Sequence, residues 1–206
     1  MRNRLFGALY LLSLFAAAAS LRAAAPARQL DGWILDGSGT WISSAGLLIL
    51  QKPGAPSGPI RRPAALALLD TPPLERASFQ LELRCTAPLD VVHRDLEVIF
   101  GYESPTRFYY AHLSGITDAV HNGVFLVYDA DRRRIDAGTT PPVLRDQEWH
   151  RVRLEWTGAT GRIQIYVDDS AAPAFDLTDA TIRAGRVGVG SFDDTGEFRR
   201  ISLNGQ

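Results

Sequence analysis

The fold is decided by the stretch from Glu148 to Asn204, in which apolar and polar residues alternate along four short runs. The runs are EWHRVRLEW (148–156), GRIQIYVDD (161–169), GRVGVGSFDD (185–194) and EFRRISLN (197–204). Alternation with a period of two is typical of strands that have one buried and one solvated face. Because turn-forming glycine, aspartate or asparagine residues separate the runs, they favour antiparallel sheet over βαβ units.

Runs of the same kind continue upstream, and no segment shows a sustained helical period. These upstream runs are AALALLD (64–70), SFQLELRC (78–85), DLEVIFGYE (95–103), RFYYAHLSG (107–115) and VFLVYDA (124–130). Regular strands with turn signals between them predict an all-β sandwich of two antiparallel sheets. The alternation in the closing runs assigns six residues to its core: Val152, Leu154, Ile163, Ile165, Val187 and Val189.

The first 25 residues have the composition of a secretory signal peptide. The chain begins MRNR, continues with the fifteen-residue run LFGALYLLSLFAAAA (5–19), and stays rich in small residues through Ala25. A membrane span needs about 20 apolar residues, so cleavage is favoured over a retained anchor. We therefore expect a signal peptide at 1–25, a single domain at 26–206, and a periplasmic or secreted protein without a membrane partner after cleavage.

The charge of the chain argues against nucleic acid as a partner. The formal net charge is −1, and the signal region holds three arginines and no acidic residue, so the remainder carries about −4. Phosphate backbones require a net basic patch. The sequence therefore predicts no nucleic-acid partner.

Several motifs together resemble a bacterial exported subgroup of the concanavalin A-like lectin/glucanase superfamily. They are RFYYAHLSG (107–115), HNGVFLVYD (121–129) and the four closing runs, in this order. The subgroup lies near the laminin-G-like domains and the 3-keto-disaccharide hydrolase-type domains. The resemblance implies a two-sheet antiparallel jelly roll with a concave face, on which relatives bind or cleave sugars.

The chain departs from that superfamily at two places. Glucan-cleaving members carry an E-x-D-x-x-E strand, whereas the acidic strand here reads DLEVIFGYE (95–103). Many relatives have an acidic pair after the phenylalanine of the last strand, whereas Phe198 is followed here by Arg199 and Arg200. The resemblance therefore carries over no catalytic residue.

Strand parity predicts a cluster of polar and aromatic residues on one face of the middle strands. Leu96, Val98, Phe100 and Tyr102 form the apolar face of their run, which leaves Glu97 on the opposite face. If this strand pairs with the next one, Glu97, Tyr110 and His112 share an open face, and the following loop brings its residues to the rim. The candidate ligand-binding residues are Glu97, Tyr110, His112, His121 and Asn122.

This cluster has three interpretations. Aromatic rings stack on sugars, while histidine, asparagine and glutamate hydrogen-bond hydroxyl groups. Glu97 and His112 are also candidates for holding a divalent metal or for acid–base catalysis. The same residues are equally typical of an ordinary solvated strand face. If hydrolysis occurs, Glu97 needs a partner from another strand, such as Asp129 or Asp168, because Glu103 lies about 20 Å away along the strand at roughly 3.3 Å per residue.

Charged groups at strand ends suggest two further sites. Asp193–Asp194 and Asp168–Asp169 are candidates for a structural calcium site, because calcium takes carboxylate and carbonyl oxygens. Aspartate is also an ordinary turn residue, and no cofactor is required by the sequence. The basic run at 132–134 predicts either a solvated turn or a contact with an acidic polysaccharide.

We draw three functional hypotheses from the sequence. The leading one is an exported domain that binds an oligo- or polysaccharide on the face of a β-sandwich. The alternatives are a glycoside hydrolase or lyase acting on a modified sugar, and a laminin-G-like protein-interaction module. Whether the protein is an enzyme stays open at this level, because fold analogy is a weak warrant for function.

Overall fold

The computed structural model describes residues 28–206, so the predicted signal peptide at 1–25 lies outside the described part of the chain. All regular elements within 28–206 are β-strands. None of the described residues belongs to a helix of the length and apolarity needed to cross a membrane. The all-β prediction is confirmed.

Eight strands form one antiparallel sheet, in the order β1-β2-β5-β14-β7-β8-β9-β10. Their bounds are β1 Arg28–Leu30, β2 Trp33–Gly37, β5 Ala65–Leu69, β7 Asp95–Ser104, β8 Arg107–Ser114, β9 Gly123–Tyr128, β10 Arg133–Arg134 and β14 Arg186–Ser191.

The other seven strands form a second antiparallel sheet, in the order β13-β12-β11-β6-β15-β4-β3. Their bounds are β3 Thr40–Ser44, β4 Leu47–Lys52, β6 Arg76–Cys85, β11 His150–Thr157, β12 Arg162–Val167, β13 Phe175–Thr178 and β15 Gly196–Gly205. The strands of the closing sequence runs are thus shared between the two sheets. This is the two-sheet jelly-roll sandwich that the resemblance implied.

The main core lies between the inner faces of the two sheets. Leu154 on β11 pairs with Ile165 on β12 and with Phe79 on β6, and all three side chains are buried. The six core residues predicted from the closing runs all belong to this cluster. Burying a large apolar side chain stabilises the folded state by about 1.5–3 kcal/mol. The apolar residues at alternate strand positions therefore stabilise the packing of the two sheets against each other.

A second apolar cluster covers the outer face of the eight-stranded sheet. Its buried members are Leu66, Leu68, Ile99, Tyr102, Phe108, Tyr110, Phe125 and Val127, and Ile34, Ile60 and Phe192 pack against them. The segment 53–64 contributes Ile60, and it is tied to the β9–β10 turn because the Arg61 N–H donates to Asp131 Oδ1 at 2.8 Å. The prediction that Glu97, Tyr110 and His112 lie on an open face is therefore wrong, since neighbouring segments cover this face.

A β-bulge in β7 changes the side to which Tyr102 points. Between Ile99 and Tyr102 the strand β7 has one residue more than its partner β14, and Gly101 within this segment adopts a φ of +59°. Leu96, Val98 and Phe100 lie in the main core as predicted, but Tyr102 lies in the outer cluster. The predicted placement of Tyr102 is wrong because strict alternation fails where one residue is inserted into a strand.

Candidate functional site: a polar pocket at one end of the eight-stranded sheet

A polar pocket of about 310 Å³ lies where β7 begins and where β8 and β14 end. Its lining combines two arginines, three histidines, two aspartates and one phenylalanine. These residues are Arg61, His93, Asp95, His112, His121, Arg132, Phe192 and Asp193. Polar groups that converge beside an aromatic ring in a concave site are the usual features of a ligand site.

The antiparallel pairing of β7 and β8 brings the acidic and imidazole side chains together. Glu97 lies directly opposite His112, so the two share a face of the sheet as the parity argument predicted, and Asp95 lies opposite Ser114. On the other side Glu97 faces Gly190 of β14. A Cβ at Gly190 would lie only 2.8 Å from the carbonyl oxygen of Ala65, so glycine allows the close approach of the neighbouring strand β5.

His112 links the acidic residues to Arg132. Its Nδ1 lies 3.4 Å from Arg132 Nη1, and its Nε2 lies 3.2 Å from Asp95 Oδ2. Its Nε2 also lies 3.8 Å from Glu97 Oε1. His112 therefore lies between the two buried carboxyl groups and Arg132.

Asp95 and Glu97 are buried carboxyl groups whose pKa values move in opposite directions. Burial first, and then the charge of Asp95, raise the pKa of Glu97 well above its usual value. Burial also acts to raise the pKa of Asp95, but the attraction and hydrogen bonding of His112 and the N–H of Phe192 outweigh it, so this pKa is lowered. The site therefore favours a protonated Glu97 beside an ionised Asp95.

The Glu97 carboxyl group lies behind the pocket and not in its wall. Its side chain is 0% exposed, and neither oxygen accepts a hydrogen bond from the described residues. An isolated buried carboxylate would be strongly unfavourable, which is consistent with the protonated form. Glu97 therefore tunes Asp95 and is out of reach of a ligand.

Arg132 turns inward, unlike a residue of a solvated turn. Its Nη1 donates to the hydroxyl of Tyr110 at 3.2 Å, and its guanidinium lies over the rings of Phe125 and Phe192, 5.0 and 4.4 Å from their centroids. Arg134 donates to the backbone oxygens of Asp118, His121 and Asn122. The prediction of a solvated turn therefore holds only for the exposed Arg133.

Tyr110 is fully buried and stacks on Phe125, with ring centroids 5.3 Å apart. Its ring is therefore not presented to a ligand, and its hydroxyl reaches the site only through Arg132. Burial raises the pKa of Tyr110, so the hydroxyl stays neutral. Tyr110 positions Arg132 from behind the pocket.

His121 lies at the mouth of the pocket and is oriented by Asp118. The Nδ1 atom of His121 lies 2.8 Å from Asp118 Oδ2, and 20% of the His121 side chain is exposed. The ring contacts His112 edge-on, with centroids 5.6 Å apart, and His93 at 5.9 Å. Three of the four histidines of the chain thus meet here, and Nε2 of His121 is left for a ligand.

Asn122 does not line the pocket, contrary to its place in the predicted site. Its Oδ1 accepts from the N–H of Ser114, and its Nδ2 donates to Thr117 Oγ1 and to the carbonyl oxygens of Thr140 and Pro141. The residue is buried with a φ of +50°. Asn122 therefore holds the β8–β9 loop in place and has no polar atom left for a ligand.

One of the two predicted acidic pairs belongs to a group that could hold a cation. Asp95, Asp193 and Asp194 each offer an oxygen within 4.8 Å of the others. Burial and the charge of Asp95 raise the pKa of Asp194 to about 6, which a cation would reverse. The other pair is engaged elsewhere: Asp168 bonds His150 at 2.8 Å, and Asp169 pairs with Arg151. The calcium prediction for Asp168–Asp169 has no support from this geometry.

A second acidic group, formed by Asp95, Glu97 and His112, fits a metal less well. Glu97 is fully buried, and burial and the charge of Asp95 raise the pKa of its carboxyl group, which makes it a poorer ligand. The three aspartates offer only oxygen ligands, the donor type that a hard cation such as calcium prefers.

The predicted partners of Glu97 are wrong. Asp129 pairs with Arg107 at the far end of β8, and Asp168 belongs to the other sheet. The carboxyl group beside Glu97 is that of Asp95, two residues earlier on the same strand. Residues i and i+2 share a face of a strand, so this pair was readable from DLEVIFGYE.

Sequence reasoning also missed Arg61, His93, Phe192 and Asp95 as pocket residues. Arg61, His93 and Phe192 come from segments outside the strands. Strand parity cannot place such residues, because loop positions depend on long-range packing. Of these four residues, only Asp95 could have been found from the local sequence, because it lies two residues before Glu97 on the same strand face.

The outer face of the seven-stranded sheet carries an open groove of about 390 Å³. Glu82 there accepts from Arg199 at 2.7 Å, from Arg200 at 2.8 Å and from Arg151 at 3.4 Å. The guanidinium groups of Arg84 and Arg199 each lie over the ring of Trp149, 4.8 and 3.9 Å from its centroid. The arginines that line the groove are paired with carboxylates.

Comparison with protein-family models and with curated protein sequences finds no match. The structure is similar to carbohydrate-binding module CBM66 from Bacillus subtilis, with a TM-score of 0.64, 16% identity, and coverage of 84% of this chain and 95% of that chain. It is similar to the exoplasmic/lumenal domain of VIP36 in its Ca²⁺/Man3GlcNAc-bound form, with a TM-score of 0.52, 12% identity, and coverage of 86% and 85%. It is also similar to basic winged bean lectin with Tn-antigen, with a TM-score of 0.52, 13% identity, and coverage of 82% of this chain and 91% of that chain. The two-sheet architecture and these likenesses together show that the chain has the concanavalin A-like lectin/glucanase fold.

Proposed function

We propose that this protein is a glycan-binding domain whose ligand lies in the polar pocket. The observation that carries the proposal is the Asp95–His112–Arg132 network, which is held rigidly from behind and opens on a pocket with one aromatic wall. Three similar structures are those of a carbohydrate-binding module and of two proteins solved with sugars bound. The proposal keeps His112 and His121 from the sequence-based site and adds Arg61, His93, Asp95, Arg132, Phe192 and Asp193.

The chemistry of the wall suits the hydroxyl groups of a sugar. Asp95 accepts, Arg132 has donors on Nε and Nη2 that make no hydrogen bond within residues 28–206, and His121 offers Nε2. Charged partners make hydrogen bonds of about 1.5–3 kcal/mol. Phe192 supplies a face for the ring carbons of a sugar, and Glu97, Tyr110 and Asn122 act as supports behind these groups.

A calcium ion at Asp95, Asp193 and Asp194 is part of the proposal. When bound, it would offset the mutual repulsion of the three carboxylates and hold the segment after β14 against the start of β7. The three residues supply oxygen ligands only, which is the donor type that calcium prefers.

Hydrolysis at the same pocket is the second candidate function. Asp95 and Glu97 have neighbouring carboxyl oxygens and pKa values displaced in opposite directions, a pattern found at acid–base sites. Binding is favoured over hydrolysis because Glu97 is fully buried behind the wall.

The domain also needs a location. Because residues 1–25 have the composition of a secretory signal peptide, we propose that the domain acts in the periplasm or outside the cell.

The test is a glycan array followed by calorimetry on the glycans that bind, each measured with calcium and with a chelator. Phe192→Ala and His121→Ala should each weaken binding roughly fivefold to thirtyfold, because each removes a contact worth about 1–2 kcal/mol. The chelator should weaken binding by the wild type and lower its melting temperature. Chromatography of the same samples reports any sugar cleavage.

Trp149→Ala is the matched control, since it removes a half-buried aromatic residue from the other sheet. Binding that is lost in this variant but kept in Phe192→Ala would move the site to the seven-stranded sheet. Absence of binding to every glycan would refute the proposal and favour a protein-interaction module. Cleavage that disappears in Asp95→Asn would establish the second candidate function.

A further inference from the structure

Two arginines of the pocket lack the carboxylate partners that most other arginines have. Arg61 and Arg132 form no ion pair with any described residue. Ten other arginines within 28–206 do pair with a carboxylate: Arg62, Arg84, Arg107, Arg133, Arg134, Arg151, Arg153, Arg162, Arg199 and Arg200. Two unpaired guanidinium groups in one pocket form a distinct feature of this chain.

Phe192 places the two guanidinium groups on the same wall. The Arg132 group lies 4.4 Å and the Arg61 group 5.9 Å from the centroid of the Phe192 ring. Arg132 is held by the Tyr110 hydroxyl and His112, which occupy only its Nη1. The Arg61 side chain makes no hydrogen bond to a described residue, although its backbone is tied to Asp131. Both groups therefore keep most of their N–H donors free.

The acidic residues of the pocket do not use these donors. Asp95 lies 3.2 Å from His112 Nε2 and accepts from Ser191 Oγ and the Phe192 N–H, each at 3.3 Å. Asp193 is exposed at the rim and lies beyond ion-pair distance of both arginines. A guanidinium group is a planar fork of donors that matches a carboxylate or a sulfate ester.

We propose that the pocket selects a sugar unit carrying an anionic group, with that group between Arg61 and Arg132 and the ring hydroxyls towards Asp95 and His121. This inference rests on the proposed glycan binding and names its ligand class. The shared chemistry is that of an oxyanion, and its two sources are the carboxylate of a uronic acid and a sulfate ester. Asp193 lies close enough to oppose the anion, so it lowers the affinity.

The experiment is calorimetry of the full chain with three sets of oligosaccharides of matched length, namely neutral, uronate-containing and sulfated, each measured with calcium and with a chelator. One acidic set should bind roughly tenfold or more tightly than the neutral set, and the affinity should fall as salt is added. The set that binds identifies the source of the anion. Arg61→Gln should lower the affinity for the acidic set by more than it lowers the affinity for the neutral set, and so abolish the preference. With the chelator present, Asp193→Asn should tighten acidic binding.

Arg183→Gln is the matched control, because it removes an exposed arginine that forms no ion pair with a described residue and lies outside the pocket. It causes the same change in net charge and should leave every affinity unchanged. Arg132→Lys keeps the charge but loses the fork, so it tests Arg132 without removing the cation.

Three results would overturn the inference. Equal binding of neutral and acidic sets would refute the selectivity while leaving glycan binding intact. An equal effect of Arg61→Gln and Arg183→Gln would reduce the preference to net charge. Binding of no oligosaccharide at all would refute the proposed function and this inference together.

Discussion

At the scale of single residues, the site depends on one carboxyl group that keeps its proton and one that loses it. Glu97 and Asp95 share a strand face, yet they differ in their neighbours. Asp95 accepts from Ser191 Oγ and the Phe192 N–H and lies 3.2 Å from His112 Nε2. Glu97 accepts no hydrogen bond from the described residues and lies 3.8 Å from the same nitrogen. The negative charge is thereby confined to the carboxylate that lines the pocket.

This difference predicts how stability depends on pH. Since the pKa of Glu97 is raised in the folded state, the native protein binds more protons than the unfolded chain above about pH 4.3. Stability is therefore lost as pH rises from that value towards the folded pKa, by up to about 1.4 kcal/mol per pH unit for one proton. Glu97→Gln should remove this slope and be more stable than the wild type at neutral pH.

Urea unfolding at several pH values, with a chelator present, measures this effect as the free energy of unfolding. Glu103→Gln is the control, because Glu103 is an exposed glutamate of the same strand. Parallel pH profiles for wild type and Glu97→Gln would show that Glu97 is ionised in the folded protein.

At the scale of elements, the bulge in β7 decides which aromatic residues reach the outer face. Gly101 has a φ of +59°, and an added Cβ would lie 3.2–3.3 Å from Ile182, Tyr109 and Trp156. The inserted residue turns Tyr102 towards Asp36, to which its hydroxyl donates at 3.2 Å. The bulge thus contributes to the covering of the sheet.

Gly101→Ala should destabilise the protein by roughly 1–3 kcal/mol, because an alanine is strained at positive φ and is crowded here as well. Gly32→Ala is the matched control, since Gly32 has a φ of +82° and nothing within 4 Å of the added Cβ. Gly32→Ala should lower the free energy of unfolding by about 1 kcal/mol, which measures the cost of placing an alanine at positive φ without crowding. Equal losses in thermal unfolding would mean that the contacts around Gly101 relax freely.

At the scale of the whole molecule, the protein has two apolar layers, one between the sheets and one outside the eight-stranded sheet. The outer layer turns a broad sheet face into a small pocket at one end. A ligand is therefore expected to meet a confined group of residues and not a long open strand surface.

Leu66→Ala in the outer layer should cost about 2–5 kcal/mol, the same range as Leu83→Ala between the sheets, because both side chains are 0% exposed. The free energy of unfolding in urea measures both. Leu89→Ala is the control, since Leu89 is 58% exposed and should change little. A small cost for Leu66→Ala would show that the outer face is open in solution.

Strand parity predicted part of the candidate site and could not predict the rest. It placed Glu97 and His112 on one face and assigned Val152, Leu154 and Ile165 to the core, because the side-chain period of a strand is a local property. It could not show that Tyr110 would be covered.

The sequence by itself determined the all-β class, the face-sharing of Glu97 and His112, and the candidacy of Asp193 and Asp194 as cation ligands. Only the tertiary structure decided that Arg61, His93 and Phe192 join them in one pocket, and that Arg132 turns inward. The physical reason is range: alternation acts between neighbours in the chain, whereas the packing of loops over a sheet depends on residues far apart in sequence.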